Sequence, residues 1–248
     1  DIPTHTIDNR KSHSMYLDRY ISAPFGNWIS SPNYTSVLGT FTLEPRKGLL
    51  WRLLKTLRYS FNHNGWTNRL GLRNPGITIG MERYYHSRVL PHKSIVSIYG
   101  FNQEEWEKLS EHTKNVPTEI NLSCPNTSKQ DYNIECPIEL FDMDNTIVKM
   151  SPLTKEQEID DLMRRGVKRW HFSNTLPIAQ GGLSGKSLMQ YNMKLIKHTL
   201  WMDEDAYVIG GGGITNESDV RFYKDLGCSG VSLGSVFFQP FAMRKFEL

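Results

Sequence analysis

Glu119-Ile120-Asn121-Leu122-Ser123-Cys124-Pro125-Asn126-Thr127 reads as a short apolar strand that stops on small hydrogen-bonding side chains around one thiol. A strand end that turns polar so abruptly is where α/β enzymes place their chemistry. Asn121, Ser123 and Asn126 offer donors and acceptors to a planar polar ligand. Cys124, once ionised, can take a proton from carbon. A buried cysteine ahead of a Pro-Asn turn is the structural alternative, so the surrounding chain has to decide between the two.

Working outward, short apolar runs alternate with amphipathic or turn-rich stretches from about residue 20 onward. Strands are expected at 20–25, 36–42, 94–99, 118–122, 146–150, 169–173, 206–209 and 230–233. Helices lie between several of them. Asn102 with Glu105 caps one, Thr154 with Gln157 forms a capping box for a second that Gly166 ends, and Asn216 caps a third closed by Gly227. Eight strands with intervening helices give the count of a (β/α)8 TIM barrel, an α/β fold, although helices after the first two strands are weakly marked. A doubly wound open sheet is the competing architecture. With no internal repeat or linker, residues 1–248 are read as one domain, with 1–19 as an N-terminal extension.

Composition agrees with a soluble globular protein. The 248 residues are 38% hydrophobic with a net charge of +3, too small by itself to argue for nucleic acid. Mean hydropathy is −0.47, and no apolar run approaches the ~20 residues that span a bilayer. The cysteines Cys124, Cys136 and Cys228 fit neither a disulfide framework nor a zinc pattern, which favours a reducing cytoplasmic setting. No metal site is expected.

Three glycine-rich sites come late in the chain. Gly181-Gly182-Leu183-Ser184-Gly185 follows the sixth expected strand, Gly210-Gly211-Gly212-Gly213 ends the seventh, and Gly234-Ser235 ends the eighth. Each alone passes for a tight turn. In this order they suit a phosphorylated ligand, because glycine lets backbone N–H groups approach an anion. The tetraglycine is not a dinucleotide fingerprint, since no spaced G-x-G-x-x-G opens it. Lys149 ends the fifth strand, where a fixed positive charge can stabilise an electron-rich cofactor, and Ser173-Asn174-Thr175 ends the next strand in polar groups.

These segments together resemble the dihydroorotate dehydrogenases, flavin mononucleotide enzymes on a (β/α)8 barrel. Asn121-Leu122-Ser123-Cys124-Pro125-Asn126 is similar to the family's active-site loop. Val148-Lys149-Met150-Ser151-Pro152, Asn174-Thr175, Gly181–Gly185, Gly212-Gly213-Ile214 and Gly234-Ser235 follow in family order. Two upstream segments match as well, 39–46 and 68–76. The resemblance implies oxidation of dihydroorotate to orotate in pyrimidine biosynthesis, with Cys124 as the base that removes the C5 proton. It implies substrate contacts at Asn68, Asn121, Asn126, Asn174 and Thr175. For the FMN cofactor it implies Ala23, Thr40, Asn121, Lys149, Ser184, Gly185, Gly212, Gly213, Gly234 and Ser235. A cysteine base resembles the soluble class, and the absence of an N-terminal membrane segment agrees. The partner is then a small molecule, with no nucleic acid and no transmembrane segment, and a homodimer fits.

The chain departs from the family in one respect. The resemblance implies a second lysine, usual in the family at the end of the first or second strand, where this sequence has Asn27 and Gly39 or Thr40. Lys47, Lys129 or Arg46 are the cations nearby in sequence. Residues 48–65 interleave Leu49, Leu50, Trp51, Leu53, Leu54, Leu57 and Phe61 with Arg52, Lys55 and Arg58, which reads as a packed connecting helix with a basic face or as an amphipathic helix for a membrane or partner. Two other functions compete. An RNA-modifying enzyme of dihydrouridine synthase type would carry a helical domain after its barrel, whereas this chain stops soon after the eighth strand. A flavin-binding pseudoenzyme would not need Cys124 and its asparagines together.

Overall fold

The computed structural model describes residues 17–48, 55–63, 65–68, 71–87, 93–123, 136–173, 175–178 and 181–246. Among these, the first six strands are β1 (Asp18–Ile21), β2 (Thr35–Phe41), β3 (Arg58–Ser60), β4 (Gly65–Asn68), β5 (Lys93–Ile98) and β6 (Thr118–Asn121). The remaining six are β7 (Thr146–Met150), β8 (Arg169–Phe172), β9 (Leu176–Ile178), β10 (Gly181–Gly185), β11 (Tyr207–Gly211) and β12 (Gly230–Leu233). Eight of them close a parallel barrel in the order β1-β12-β11-β8-β7-β6-β5-β2, with β2 pairing back to β1. All eight expected strands are present, and closure excludes the open doubly wound sheet.

Side chains alternate across the barrel wall as strand geometry requires. Tyr20, Val37, Ile95, Ile147 and Ile209 form a small apolar cluster inside. Their chain neighbours Ile21, Leu38, Val96, Val148 and Val208 pack outward against the helices, with Leu109, Ile159, Leu195 and Val220. Near the N-terminal end of the strands, Tyr20 and Tyr207 join their hydroxyls at 2.7 Å. Tyr207 also donates to the Asp18 carboxylate, and Arg169 lies 4.8 Å above the Tyr207 ring.

The helices are α1 (Ile77–Ser87), α2 (Gln103–His112), α3 (Glu156–Arg164), α4 (Leu188–Met202), α5 (Glu217–Asp225) and the short α6 (Pro240–Met243). Asn102 accepts from the Glu105 N–H at 2.9 Å to start α2, and Asn216 accepts from the Ser218 and Asp219 N–H groups to start α5. The start of α3 is one residue later than expected: Glu158, not Gln157, reaches back, and it accepts from the Lys155 N–H at 2.6 Å. A carboxylate is a stronger acceptor than an amide and complements the helix dipole. Gly166 and Gly227, at φ +98° and +94°, end α3 and α5 as expected.

Three readings of the sequence need correction. The first strand ends at Ile21 rather than residue 25, because Pro24 lacks a ladder donor and Phe25–Asn27 turns as a 3-10 helix. The Gly181–Gly185 segment is a strand, not a loop, pairing with β4 and β9 in a separate antiparallel sheet ordered β3-β4-β10-β9. Residues 49–54 of the amphipathic stretch lie outside the described residues; Lys55 and Thr56 are helical, and the helix reading fails only after them, where β3 and a 3-10 turn, Phe61–His63, follow. The small sheet sits at the C-terminal end of the barrel: Trp66 of β4 packs 5.7 Å from Phe238, just past β12, and Phe238 packs 5.2 Å from Phe25, just past β1. No helix among the described residues is long and apolar enough to cross a membrane.

Candidate active site

Inward-facing positions near the C-terminal ends of β5, β6, β7 and β8 are polar, which is uncommon for buried strand residues. Ser97, Glu119 and His171 are fully buried, and Asn121 and Lys149 nearly so. Their hydrogen bonds run in one direction. Asn121 Nδ2 donates to Thr40 Oγ1 at 2.9 Å, Thr40 and Ser97 hydroxyls meet at 3.0 Å, and Ser97 donates to Glu119 Oε1 at 2.7 Å. His171 Nδ1 meets the other Glu119 oxygen at 2.7 Å. Parallel register sets Asn121, Lys149 and His171 side by side on β6, β7 and β8.

Burial by itself would raise the Glu119 carboxyl, but the Lys149 charge, with the bonds from His171 and Ser97, outweighs it and holds the group down at about 2. Burial pushes His171 down further than Glu119 restores it, so the imidazole is neutral and donates through Nδ1. At this level of the barrel, among the described residues, the buried Glu119 carboxylate faces the buried Lys149. The oxygen of Asn121 accepts from the Ser123 N–H at 3.2 Å and from the Ser123 hydroxyl, which fixes the amide orientation.

The late glycines gather at the same end of the barrel. A Cβ on Gly213 would lie 2.8 Å from Lys186 Cα and 3.0 Å from the Gly185 carbonyl, so the β10 and β11 segments approach closely there. Gly212 and Gly213 have φ of +85° and +76°, and among the described residues nothing accepts their N–H groups. A Cβ on Gly234 would meet Ser22 Oγ at 2.8 Å. Ser184 donates to the Trp66 carbonyl at 3.1 Å, tying β10 to β4. Uncommitted N–H groups in a glycine cradle suit the phosphate of a cofactor such as FMN, and a buried lysine suits an electron-rich ring.

The other expected residues fall as follows. Ala23 packs against the interior cluster just past β1, Thr175 lies half-buried past β8, Ser235 is half-buried past β12, and Asn68 ends β4 opposite Gly182. Cys124, Asn126 and Asn174 lie outside the described residues, as does Lys129. Asn27, one candidate position for the second lysine that the resemblance implies, grips β2 instead: it donates to the Gly39 carbonyl at 2.9 Å and accepts from the Gly39 N–H at 3.1 Å. Arg46 lies over the Phe101 ring at 4.9 Å. The two described cysteines do not compete with Cys124, since burial pushes both thiols up to about 12. Sequence reasoning missed Ser97, Glu119, His171, Asn192 and Tyr223. The available signal was an ionisable residue at an alternate position inside an otherwise apolar strand, as in Thr118-Glu119-Ile120 and Trp170-His171-Phe172.

No protein-family profile matches the chain. Among curated proteins, the catalytic subunit of dihydroorotate dehydrogenase B (NAD+) from Desulforamulus reducens is 29% identical over 244 residues, covering 84% of this chain and 77% of that protein. The protein of the same name from Thermotoga petrophila is 26% identical over 248 residues, covering 88% of each. The chain is related to the dihydroorotate dehydrogenases. A crystal structure of DHODH from Eimeria tenella, in complex with ferulenol, shares the fold with a TM-score of 0.68 at 18% identity, over 92% of this chain and 79% of that one.

Proposed function

We propose that this chain is an FMN-dependent oxidoreductase that converts dihydroorotate to orotate in pyrimidine biosynthesis, working in the cytoplasm. The observation that carries the reading is the meeting, at one end of one barrel, of a buried lysine in register with Asn121 and a glycine cradle with uncommitted N–H groups. The relatives' names supply the substrate class.

FMN, when bound, supplies the hydride acceptor for C6 of the substrate. The chain does the rest. The Cys124 thiolate takes the proton from C5, so that a C5–C6 double bond forms as hydride and proton depart. Asn68, Asn121, Asn126, Asn174 and Thr175 hold the ring and its carboxylate by hydrogen bonds. Lys149 contributes a fixed charge in a site of low dielectric, where it acts more strongly than in water. Ser184, Gly185, Gly212, Gly213, Gly234 and Ser235 would hold the phosphate, and Ala23 and Thr40 would complete the FMN site.

Cys124→Ala tests the reading. The variant retains FMN and fold but loses flavin reduction by dihydroorotate, by roughly a hundred- to ten-thousand-fold. Cys124→Ser keeps a little activity, with its optimum moved to higher pH because a hydroxyl ionises far less readily than a thiol. Near-wild-type reduction by Cys124→Ala in anaerobic stopped-flow would remove the thiol from the mechanism.

A further inference from the structure

The tetraglycine contains more glycine than an anion cradle needs. Gly210 and Gly211 belong to β11, and their missing side chains make room for protein. A Cβ on Gly210 would strike Tyr223 Cδ1 at 2.2 Å, and one on Gly211 would strike Ser173 Oγ at 2.6 Å. Gly210 is thus kept bare to admit the Tyr223 ring. Tyr223 lies on α5 and Asn192 on α4, both fully buried. Asn192 shares its helix face with Leu188, Leu195 and Ile196, where a polar side chain is costly unless it is bonded.

Both side chains reach the backbone of this loop. The single Tyr223 O–H proton is shared between the Gly211 carbonyl at 2.6 Å and the Gly212 carbonyl at 2.8 Å. Asn192 Nδ2 donates to the Gly211 carbonyl at 2.7 Å. The peptides here are trans, so each carbonyl and the following N–H point in opposite directions. Drawing the Gly211 and Gly212 carbonyls toward the helix layer turns the Gly212 and Gly213 N–H groups the other way, toward the barrel mouth.

We propose that Tyr223 and Asn192 are positioning residues that set a preference for a 5′-phosphorylated flavin over an unphosphorylated one, an inference that rests on the flavin reading above. They touch no ligand themselves. Their hydrogen bonds pre-aim two backbone donors, so that the cradle does not have to reorganise when the phosphate arrives.

The test compares FMN with riboflavin on the full chain by quenching of flavin fluorescence, for wild type, Tyr223→Phe and Asn192→Ala. Tyr223→Phe keeps the ring that Gly210 accommodates and removes only the donor. It weakens FMN by about tenfold, as loss of a buried hydrogen bond implies, and leaves riboflavin affinity unchanged. Asn192→Ala shifts the same ratio in the same direction. Equal losses for the two flavins, or no loss for FMN, in folded variants would overturn the inference while leaving the flavin reading intact. A wild-type chain that takes up neither flavin would overturn both. Circular dichroism confirms the fold of each variant, and should Asn192→Ala fail to fold, the Tyr223→Phe ratio alone decides.

Discussion

Glu119 is the residue on which the interior electrostatics turn. It is a buried carboxylate in a barrel wall, held ionised by the Lys149 charge and by bonds from His171 and Ser97. Its folded-state pKa is depressed to about 2, so the stability it contributes is present above the ordinary carboxylate range and disappears as pH falls toward 2. His171 is depressed as well, by burial, so the unfolded chain gains its proton first and acidification below about 6.5 already favours unfolding. Both effects have the same sign. Urea unfolding of the wild type is therefore expected to give a stability that falls steadily from pH 7 toward pH 3. Glu119→Gln loses roughly 3–5 kcal/mol at pH 7, the cost of leaving one partner of a buried ion pair unpaired, and this deficit shrinks on acidification. A deficit independent of pH would mean that Glu119 acts by shape alone. None of this pairing was visible along the chain, because Glu119 and His171 lie 52 positions apart and meet only across the curve of the barrel.

At the scale of elements, β10 and β11 carry the cradle, and they show what the sequence conveyed and what it did not. The glycines of 181–185 look like a loop, yet Leu183 is buried and pairs with Thr67 and Leu176 across an antiparallel sheet. Partners on other strands decided that, and no local pattern reports them. Caps chosen by nearby side chains were legible: Asn102 and Asn216 behave as expected, and only the α3 box slipped by one residue to Glu158. The order of glycine sites was legible too, although Tyr223 and Asn192, which orient the tetraglycine, come from helices on either side of β11. Gly213→Val is expected to remain folded and to bind FMN at least tenfold more weakly, because φ of +76° disfavours a β-branched residue and its side chain would press on Lys186 and Gly185. Equilibrium dialysis against FMN checks this, and unchanged affinity in a folded variant would move the phosphate elsewhere.

For the whole molecule, eight strands could be counted from apolar runs and turn residues, but closure could not. Closure depends on β1 lying between β2 and β12, contacts between residues such as Ile21 and Leu233 at opposite ends of the described chain. Once closed, the barrel brings the ends of β2, β6, β7, β11 and β12 to one mouth beneath the small sheet, so residues far apart in sequence share a site. Asn27 and Thr40 fill that mouth with neutral hydrogen bonds, leaving Lys149 as the buried cation among the described residues of the site. The proposed function requires that this mouth hold a flavin which dihydroorotate reduces. Anaerobic titration of the purified protein with dihydroorotate, followed in the visible spectrum, tests it most directly. The expected result is a bound-flavin spectrum that bleaches stoichiometrically while orotate appears. A protein that stays colourless after incubation with FMN, or a bound flavin that dihydroorotate leaves oxidised, would contradict it.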